Sequence, residues 1–371
     1  MRMMKQSLKC GIITAVLALV SAIGSQALAK PLKVFILAGQ SNMQGHVKIS
    51  TFDSMAGDPK TAPILKQMRG ADGKPIVCPK VWISSIGCAG DDTTEQKGQL
   101  TAGFGSETDE IGPEFTFAIF MEKLLGEPIL IIKTSWGGKD LHTDFRPPGM
   151  GPFVWSDFEF KARQQRGDDM DKDKGEKVKA TGVYYRLMLE HVRKVLGDIK
   201  RVVPDYEPSK GYELAGFVWF QGFNDLVSTW TYDKYDKPGG YDLYGQLLAQ
   251  FIRDVRKDLG APKMPFVIGV MGLNGTKLPP NELYFHQAQA APAALAEFQG
   301  NVLAVQTAPY WDDELDALNR RAENKETLTP EELQRLKAGV SNGGYHYLGA
   351  AKIIAPIGKA LAEALAGMPK P

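Results

Sequence analysis

The sequence predicts an α/β fold, a three-layer α/β/α sandwich with a mostly parallel central sheet. Three observations carry this. Short apolar runs recur along the chain and end at Gly or polar residues, as strands buried on both faces do. Stretches with helical spacing alternate with those runs, which is the order of a parallel sheet covered on both sides. No internal repeat or linker divides the chain, so a single domain with long loops is the simplest arrangement.

Taken in order, Leu32 to Ala38 (LKVFILA) is a buried strand that meets a tight turn at Gly39. Val81 to Ile86 (VWISSI) is a weaker strand. Pro113 to Leu125 is a helix, with Pro at its first position, where a missing N–H costs nothing. Pro128 to Lys133 (PILIIK) is a strand, and Thr181 to Leu196 is an amphipathic helix with Val183, Leu187, Met188, Val192 and Val195 inward. Leu214 to Phe220 (LAGFVWF) is a strand, Tyr241 to Leu259 a helix and Phe266 to Val270 a strand. Asn281 to Phe298 reads as a helix, Val302 to Val305 as a strand, and Leu348 to Ala366 as the closing helix. Active sites in such sheets gather beyond the carboxyl ends of the strands. The places to search therefore follow Ala38, Lys133, Phe220 and Val270.

Residues 1–29 stand apart. Arg2, Lys5 and Lys9 precede an apolar run from Gly11 to Ile23, and Ala27-Leu28-Ala29 offers a small-x-small cleavage site. That is the pattern of a secretory signal peptide, and the apolar run is shorter than a spanning helix needs. The expected organisation is a signal peptide over 1–29 and one domain over 30–371, secreted or periplasmic, with no stable membrane span after cleavage. The whole chain of 371 residues balances 44 Lys and Arg against 43 Asp and Glu. So even a balance gives no case for a nucleic-acid partner. Three Cys are too few for a disulfide scaffold; Cys78 and Cys88 stay in the exported part, where a bridge is permitted. Residues 161–179 are rich in both charges and poor in apolar residues, so a solvated, mobile loop is expected. An EF-hand reading of Asp169, Asp171 and Asp173 fails, because Lys174 and Ala180 stand where Gly and Glu are required.

Four short blocks carry candidate chemistry. Gly39-Gln40-Ser41-Asn42-Met43 places Ser41 at a strand-to-helix turn, where it is either a nucleophile or a helix cap. Thr134-Ser135-Trp136-Gly137-Gly138 lets the backbone approach a ligand closely, or is an ordinary turn. Gln221-Gly222-Phe223-Asn224-Asp225 offers Asn224 as an amide donor, or as an Asx turn. Gly343-Gly344-Tyr345-His346-Tyr347 offers His346 as a general base, or as a structural histidine at a helix start.

In chain order these blocks supply Ser, Gly, Asn and His, three of them at the ends of successive strands. The pattern resembles the SGNH hydrolases, flavodoxin-like esterases named for those four residues. GQSNM with Trp219-Phe220-Gln221-Gly222 is similar to the sialate O-acetylesterase and acetyl-xylan esterase branch, which opens with GQSNM and carries a WxQGExD third block. The resemblance implies that Ser41 is the nucleophile, His346 the base, and Gly138 (with Gly137 close enough to compete) and Asn224 the oxyanion donors. The implied reaction is hydrolysis of an acetyl ester on a sugar, with no metal or organic cofactor. The partner is then an acetylated carbohydrate. Gln40, Gln221 and Trp136 lie beside these residues as candidate substrate contacts, and Trp230 is a further flat face for a sugar.

Two positions depart from the pattern. The family places Asp three residues before the catalytic His, where this chain has Gly343. The third-block Glu is replaced by Phe223. Triad logic then asks for another group to orient His346. Asp225 is the first candidate, Asp312 and Asp313 the second, and a backbone carbonyl the third. His46 and His142 follow the first two blocks closely enough to line a pocket, whereas His191 and His286 fall on helices. No histidine spacing matches a metal motif. Two other readings use the same residues: a carbohydrate-binding protein of this fold with weakened catalysis, and an SGNH lipase or thioesterase.

Overall fold

The structure is a computed structural model that describes residues 30–369, of which 31–369 belong to one compact unit. The signal peptide expected over 1–29 lies outside the described residues. The strands are β1 (Leu32–Gly39), β2 (Val47–Lys48), β3 (Val81–Ile86), β4 (Glu95–Gln99), β5 (Glu110–Ile111), β6 (Ile129–Ser135), β7 (Tyr212–Phe220), β8 (Phe266–Val270) and β9 (Val302–Gln306). The helices run α1 (Ser41–Gln44), α2 (Ala62–Met68), α3 (Pro113–Leu125), α4 (Asp157–Arg166), α5 (Met170–Ala180) and α6 (Val183–Gly197). They continue as α7 (Phe223–Leu226), α8 (Asp242–Asp258), α9 (Pro280–Ala290), α10 (Asp313–Glu323), α11 (Pro330–Gly339) and α12 (Ala351–Ala366).

Seven strands form one sheet in the order β4-β3-β6-β1-β7-β8-β9, parallel except for β4 at one edge. β2 and β5 make a separate two-residue ladder. The sheet is sandwiched. Phe35 of β1 meets Phe117 of α3, while Phe217 and Trp219 of β7 meet Phe251 of α8. Paired residues of parallel strands share a face, and Phe35 pairs with Gly216, next to Phe217, so α3 and α8 cover opposite faces. α12 packs on α3, its Ala355 carbonyl accepting from Thr116 Oγ1 at 2.8 Å. α6 lies with α8, Tyr185 standing edge-on to Phe251. β6 and β8 are buried along their whole length, as are β1 from Val34 and β7 from Gly216, as their apolar runs require.

Two expectations need correction, and the state of the cysteines is new. The charged run 161–179 is not a loop. It forms most of α4 and α5, capped by Ser156 and Asp169, whose side chains accept from the backbone N–H of Glu159 and Lys172. Arg163 ties the two together through Glu159 and Asp173, so the mixed charge is a pairing pattern rather than a solvation pattern. The helix expected over 281–298 stops at Ala290 and continues as short 3₁₀ turns, because Pro292 has no N–H to extend it. Cys78 and Cys88 are both buried and unbridged, and burial pushes the Cys78 thiol up to about 12.

Candidate active site

β1 lies between β6 and β7; the chain places β3, β4 and β6 on one side of it and then crosses to lay down β7, β8 and β9 on the other, so the switch point is at β1. The three strands end level: Gly39 pairs with Ser135 on one side and Phe220 on the other. A Cβ on Gly39 would stand 2.1 Å from the Phe220 carbonyl oxygen, so only glycine lets the backbones meet here. The level ends bring Ser41, the Gly137-Gly138 turn and Asn224 to one edge. Gly138 holds φ 72, the left-handed region, whereas Gly137 does not. Lys133, wholly buried, pins the far end of α1 by donating to the Gln44 carbonyl at 2.8 Å, the Phe104 carbonyl at 2.6 Å and Glu114 Oε2 at 2.7 Å. The Ser41 hydroxyl, and the backbone N–H groups of Ser41 and Gly138, have no hydrogen-bond partner among the described residues.

Gln40 fixes Asn224. The backbone N–H groups of Gly222 and Asn224 donate to Gln40 Oε1 at 3.1 and 3.3 Å, which identifies that atom as the oxygen. Gln40 Nε2 then donates to Asn224 Oδ1 at 2.8 Å, and the Asn224 amide keeps its N–H₂ unspent. Gln40 and Gln221 are each 1% exposed, so neither is a substrate contact. Gln221 Nε2 donates to Gln40, to the Lys139 carbonyl and to Asp225 Oδ2. Trp136, 2% exposed, is packed by Phe145 and Tyr184 and donates to the Asp92 carbonyl. It also lines a polar cleft together with Gln44 and Gly137. Trp230 lies under Arg166 and Phe158 of α4.

Asp225 does not orient His346. Its oxygens accept from Leu141 N–H at 2.8 Å, His142 N–H at 3.2 Å, Gln221 Nε2 at 2.6 Å and the Tyr232 hydroxyl at 2.8 Å. Its work is to hold the loop after Gly138. Burial, and then the Asp140 carboxylate, raise its carboxyl to about 7. Asp312 is also committed elsewhere, capping α10 and pairing with Lys352, and Asp313 opens that same helix.

The partner of His346 is Asn342, a residue the sequence did not single out. Asn342 Oδ1 accepts from Gly343 N–H at 2.8 Å, so this atom is the amide oxygen. His346 Nδ1 stands 2.9 Å from the same oxygen and must carry a proton, which leaves Nε2 as the basic nitrogen. Burial lowers His346 to about 4. Gly343 cannot supply the missing side chain, because a Cβ there would stand 2.6 Å from the Tyr345 ring. The segment after His346 is strained: Tyr347 and Leu348 hold φ 53 and 60 in succession. It is held by a buried anchor, the Tyr347 hydroxyl, which accepts from Gly272 N–H at 2.9 Å and donates to Thr307 Oγ1 at 2.8 Å, since Thr307 spends its own proton on the Val270 carbonyl. Tyr345 packs near Phe223, beside Asn224, and this brings the loop to the same edge as the other three blocks. Ser41 and His346 are not hydrogen-bonded to each other in this structure.

Residues 31–316 match the family described as carbohydrate esterase, sialic acid-specific acetylesterase. The chain belongs to this family. The match takes in Ser41, Gly138 and Asn224 and stops before His346. No curated protein sequence matches the chain. Among solved structures, it is similar to a protein from Arabidopsis thaliana at 15% identity, covering 90% of this chain and 98% of that one, with TM-score 0.44. A carbohydrate acetylesterase from Xanthomonas citri matches at 15% identity over 80% of this chain and 57% of that one, TM-score 0.42. A family 2 carbohydrate esterase with a carbohydrate-binding domain, from Corynascus thermopiles (Myceliophthora fergusii), matches at 14% identity over 91% and 67%, TM-score 0.38.

Beside the candidate site opens a polar cleft of about 420 Å³. Its lining includes Gln44, next to the first of the four blocks, and Gly137, within the second, together with Asp91, Glu107 and Thr108. A second cavity, about 920 Å³ and lined by Trp311, Phe120 and Lys352, touches none of the four blocks. Among the described residues no helix is long and apolar enough to cross a membrane. His142 and His286 are buried, and His191 meets Ser84 Oγ at 3.0 Å.

Proposed function

We propose that this carbohydrate esterase is an exported serine acetylesterase, removing acetyl groups from sugars through an acyl-enzyme on Ser41. His346 Nε2 takes the Ser41 proton as Oγ attacks the acetyl carbonyl. The developing oxyanion is held by the backbone N–H groups of Ser41 and Gly138 and by the Asn224 amide. The proton on His346 then passes to the departing sugar oxygen. Water attacks the acetyl-serine and gives a proton to His346, which returns it to Ser41 Oγ as the acyl C–O bond breaks; acetic acid leaves and ionises in solution. The sugar occupies the cleft beside Gln44 and Gly137. Export follows from the signal pattern in residues 1–29.

The observation that carries this reading is the orientation of Asn224. Two backbone N–H groups fix Gln40, Gln40 consumes the Asn224 oxygen, and the amide donor that remains stands at the same sheet edge as two unspent backbone N–H groups. Ser41 Oγ breaks no hydrogen bond when it turns to His346 Nε2. Apo contacts of this kind commonly tighten only with substrate bound.

The test is acetate release from acetylated xylan oligosaccharides, and p-nitrophenol release from its acetyl ester, by wild type and Ser41→Ala. Loss of the nucleophile is expected to lower kcat by at least about 10³. Equal rates in the two proteins would remove the assignment.

A further inference from the structure

A second histidine and a carboxylate stand behind His346, outside the chemistry described above. His46 lies flat on the His346 ring, centroids 3.9 Å apart and planes within 5°. The Nδ1 edge of His46 is 3.8 Å from Glu110 Oε2. Glu110 is 3% exposed, and its Oε2 has no hydrogen-bond partner; nor does the buried Nε2 of His46. Buried polar atoms without partners are rare in folded proteins and call for an explanation. The separate β2–β5 ladder builds the arrangement: Lys48 pairs with Glu110, Val47 pairs with Ile111, and His46 comes just before. The His46 carbonyl accepts from Ser341 Oγ at 3.4 Å, which ties it to the segment leading into Asn342 and His346.

We propose that His46 and Glu110 are positioning residues for His346: Glu110 holds the edge of His46, His46 holds the plane of His346, and the Glu110 carboxylate supplies the negative charge that the neutral Asn342 lacks while His346 is protonated. This rests on the esterase reading. No proton crosses between the stacked rings, because each presents its face and not an N–H to the other. The proton from Ser41 stays on His346 Nε2 until the departing sugar oxygen takes it.

The surrounding charges leave this role to Glu110. Lys133 faces His46 from β6 but is paired with Glu114, and Lys48 is paired with Asp109. Asp109 and Glu107 stand near Glu110 on its own segment, and Tyr345 meets His346 edge-on at 4.4 Å. Among the described residues Glu110 is the acid that faces the histidine pair without a Lys or Arg ion pair of its own. Burial and Asp109 raise its carboxyl above the ordinary range, and burial lowers His46 to about 4.

Glu110→Gln keeps the shape and removes the charge. It is expected to lower kcat about tenfold at pH 8, the effect of about one pKa unit on the base, with KM within twofold. It also abolishes the step in kcat/KM where Glu110 ionises. A readout that needs no turnover is histidine NMR in Ser41→Ala protein. The His346 ring protons are expected to inflect as Glu110 titrates, and to lose that inflection in Ser41→Ala/Glu110→Gln. A Glu110→Gln enzyme with wild-type rate and profile overturns the proposal, as does a folded Ser41→Ala protein whose His346 shows no such inflection. Failure of the esterase reading is separate: it shows as Ser41-independent hydrolysis.

Discussion

Asn342→Ala isolates the group that sets the tautomer of His346. The substitution removes one oxygen with two donors on it, Gly343 N–H at 2.8 Å and His346 Nδ1–H at 2.9 Å. A hydrogen bond to a charged partner contributes about 1.5–3 kcal/mol, and the imidazolium exists only along the reaction. At about 1.4 kcal/mol per decade of rate, kcat is expected to fall about 10- to 150-fold, with KM little changed. The assay is p-nitrophenyl acetate turnover at pH 8, run beside a thermal melt to show that the variant is folded. A folded Asn342→Ala protein with kcat within twofold of wild type would refute the reasoning. Asn342→Asp tests the converse. A carboxylate on Nδ1 favours the protonated ring, so the acid limb set by His346 is expected to rise from about 4 by about 1–3 units.

Gly138→Ala is expected to lower kcat at least about tenfold, because its φ of 72 strains any other residue and shifts the N–H, whereas Gly137→Ala meets only the movable Gln44 Oε1 at 3.2 Å and keeps near-wild-type turnover. Lys133→Ala leaves Glu114 buried without its cation, so a loss of about 3–5 kcal/mol in urea unfolding is expected, along with a disordered Ser41 turn. The base must be unprotonated to work and is held near 4, so below the Glu110 step the last activity in a pH–rate profile is expected to vanish near pH 4, not near 6.5. Asp225→Asn is expected to lower the melting temperature by several degrees, since an amide cannot accept from all four donors now on the carboxylate, while the pH profile stays where it is.

The sheet was legible because its strands announce themselves. Val34–Ala38, Ile129–Ile132 and Leu214–Phe220 are runs without a polar or charged side chain, and a run of that kind has few other uses in an α/β protein. β4 was not legible: Glu95–Gln99 is polar, exposed on one side, and exists only because β3 offers an edge. The two-residue β2–β5 ladder is too short to leave a pattern. α4 and α5 were hidden by composition, since their stability comes from caps and ion pairs rather than from an apolar face. Among the candidate residues, position relative to strand ends is what brings Ser41, Gly138 and Asn224 to one edge. Gln40 and Gln221 are buried, and in sequence a polar residue beside a candidate nucleophile reads the same whether it faces substrate or braces its neighbour. Only the donors converging on Gln40 Oε1 separate the two.

The missing carboxylate is the most instructive departure. Replacing a triad Asp by Asn in a serine protease costs about 10⁴ in kcat, chiefly because the amide can present its N–H₂ and impose the wrong histidine tautomer. That penalty depends on the amide being free to turn. Here the Gly343 N–H occupies the same oxygen that meets His346, so a turned amide would set two donors against each other. Orientation is therefore secured by a neutral group, and what the carboxylate would have added is only its charge. A charge acts at a distance, and an orienting hydrogen bond does not. The two duties that one Asp performs in the family pattern can therefore be divided here between Asn342 at the ring edge and Glu110 behind the ring face, which is why the measurement that separates rate from pH profile, and not rate alone, distinguishes them.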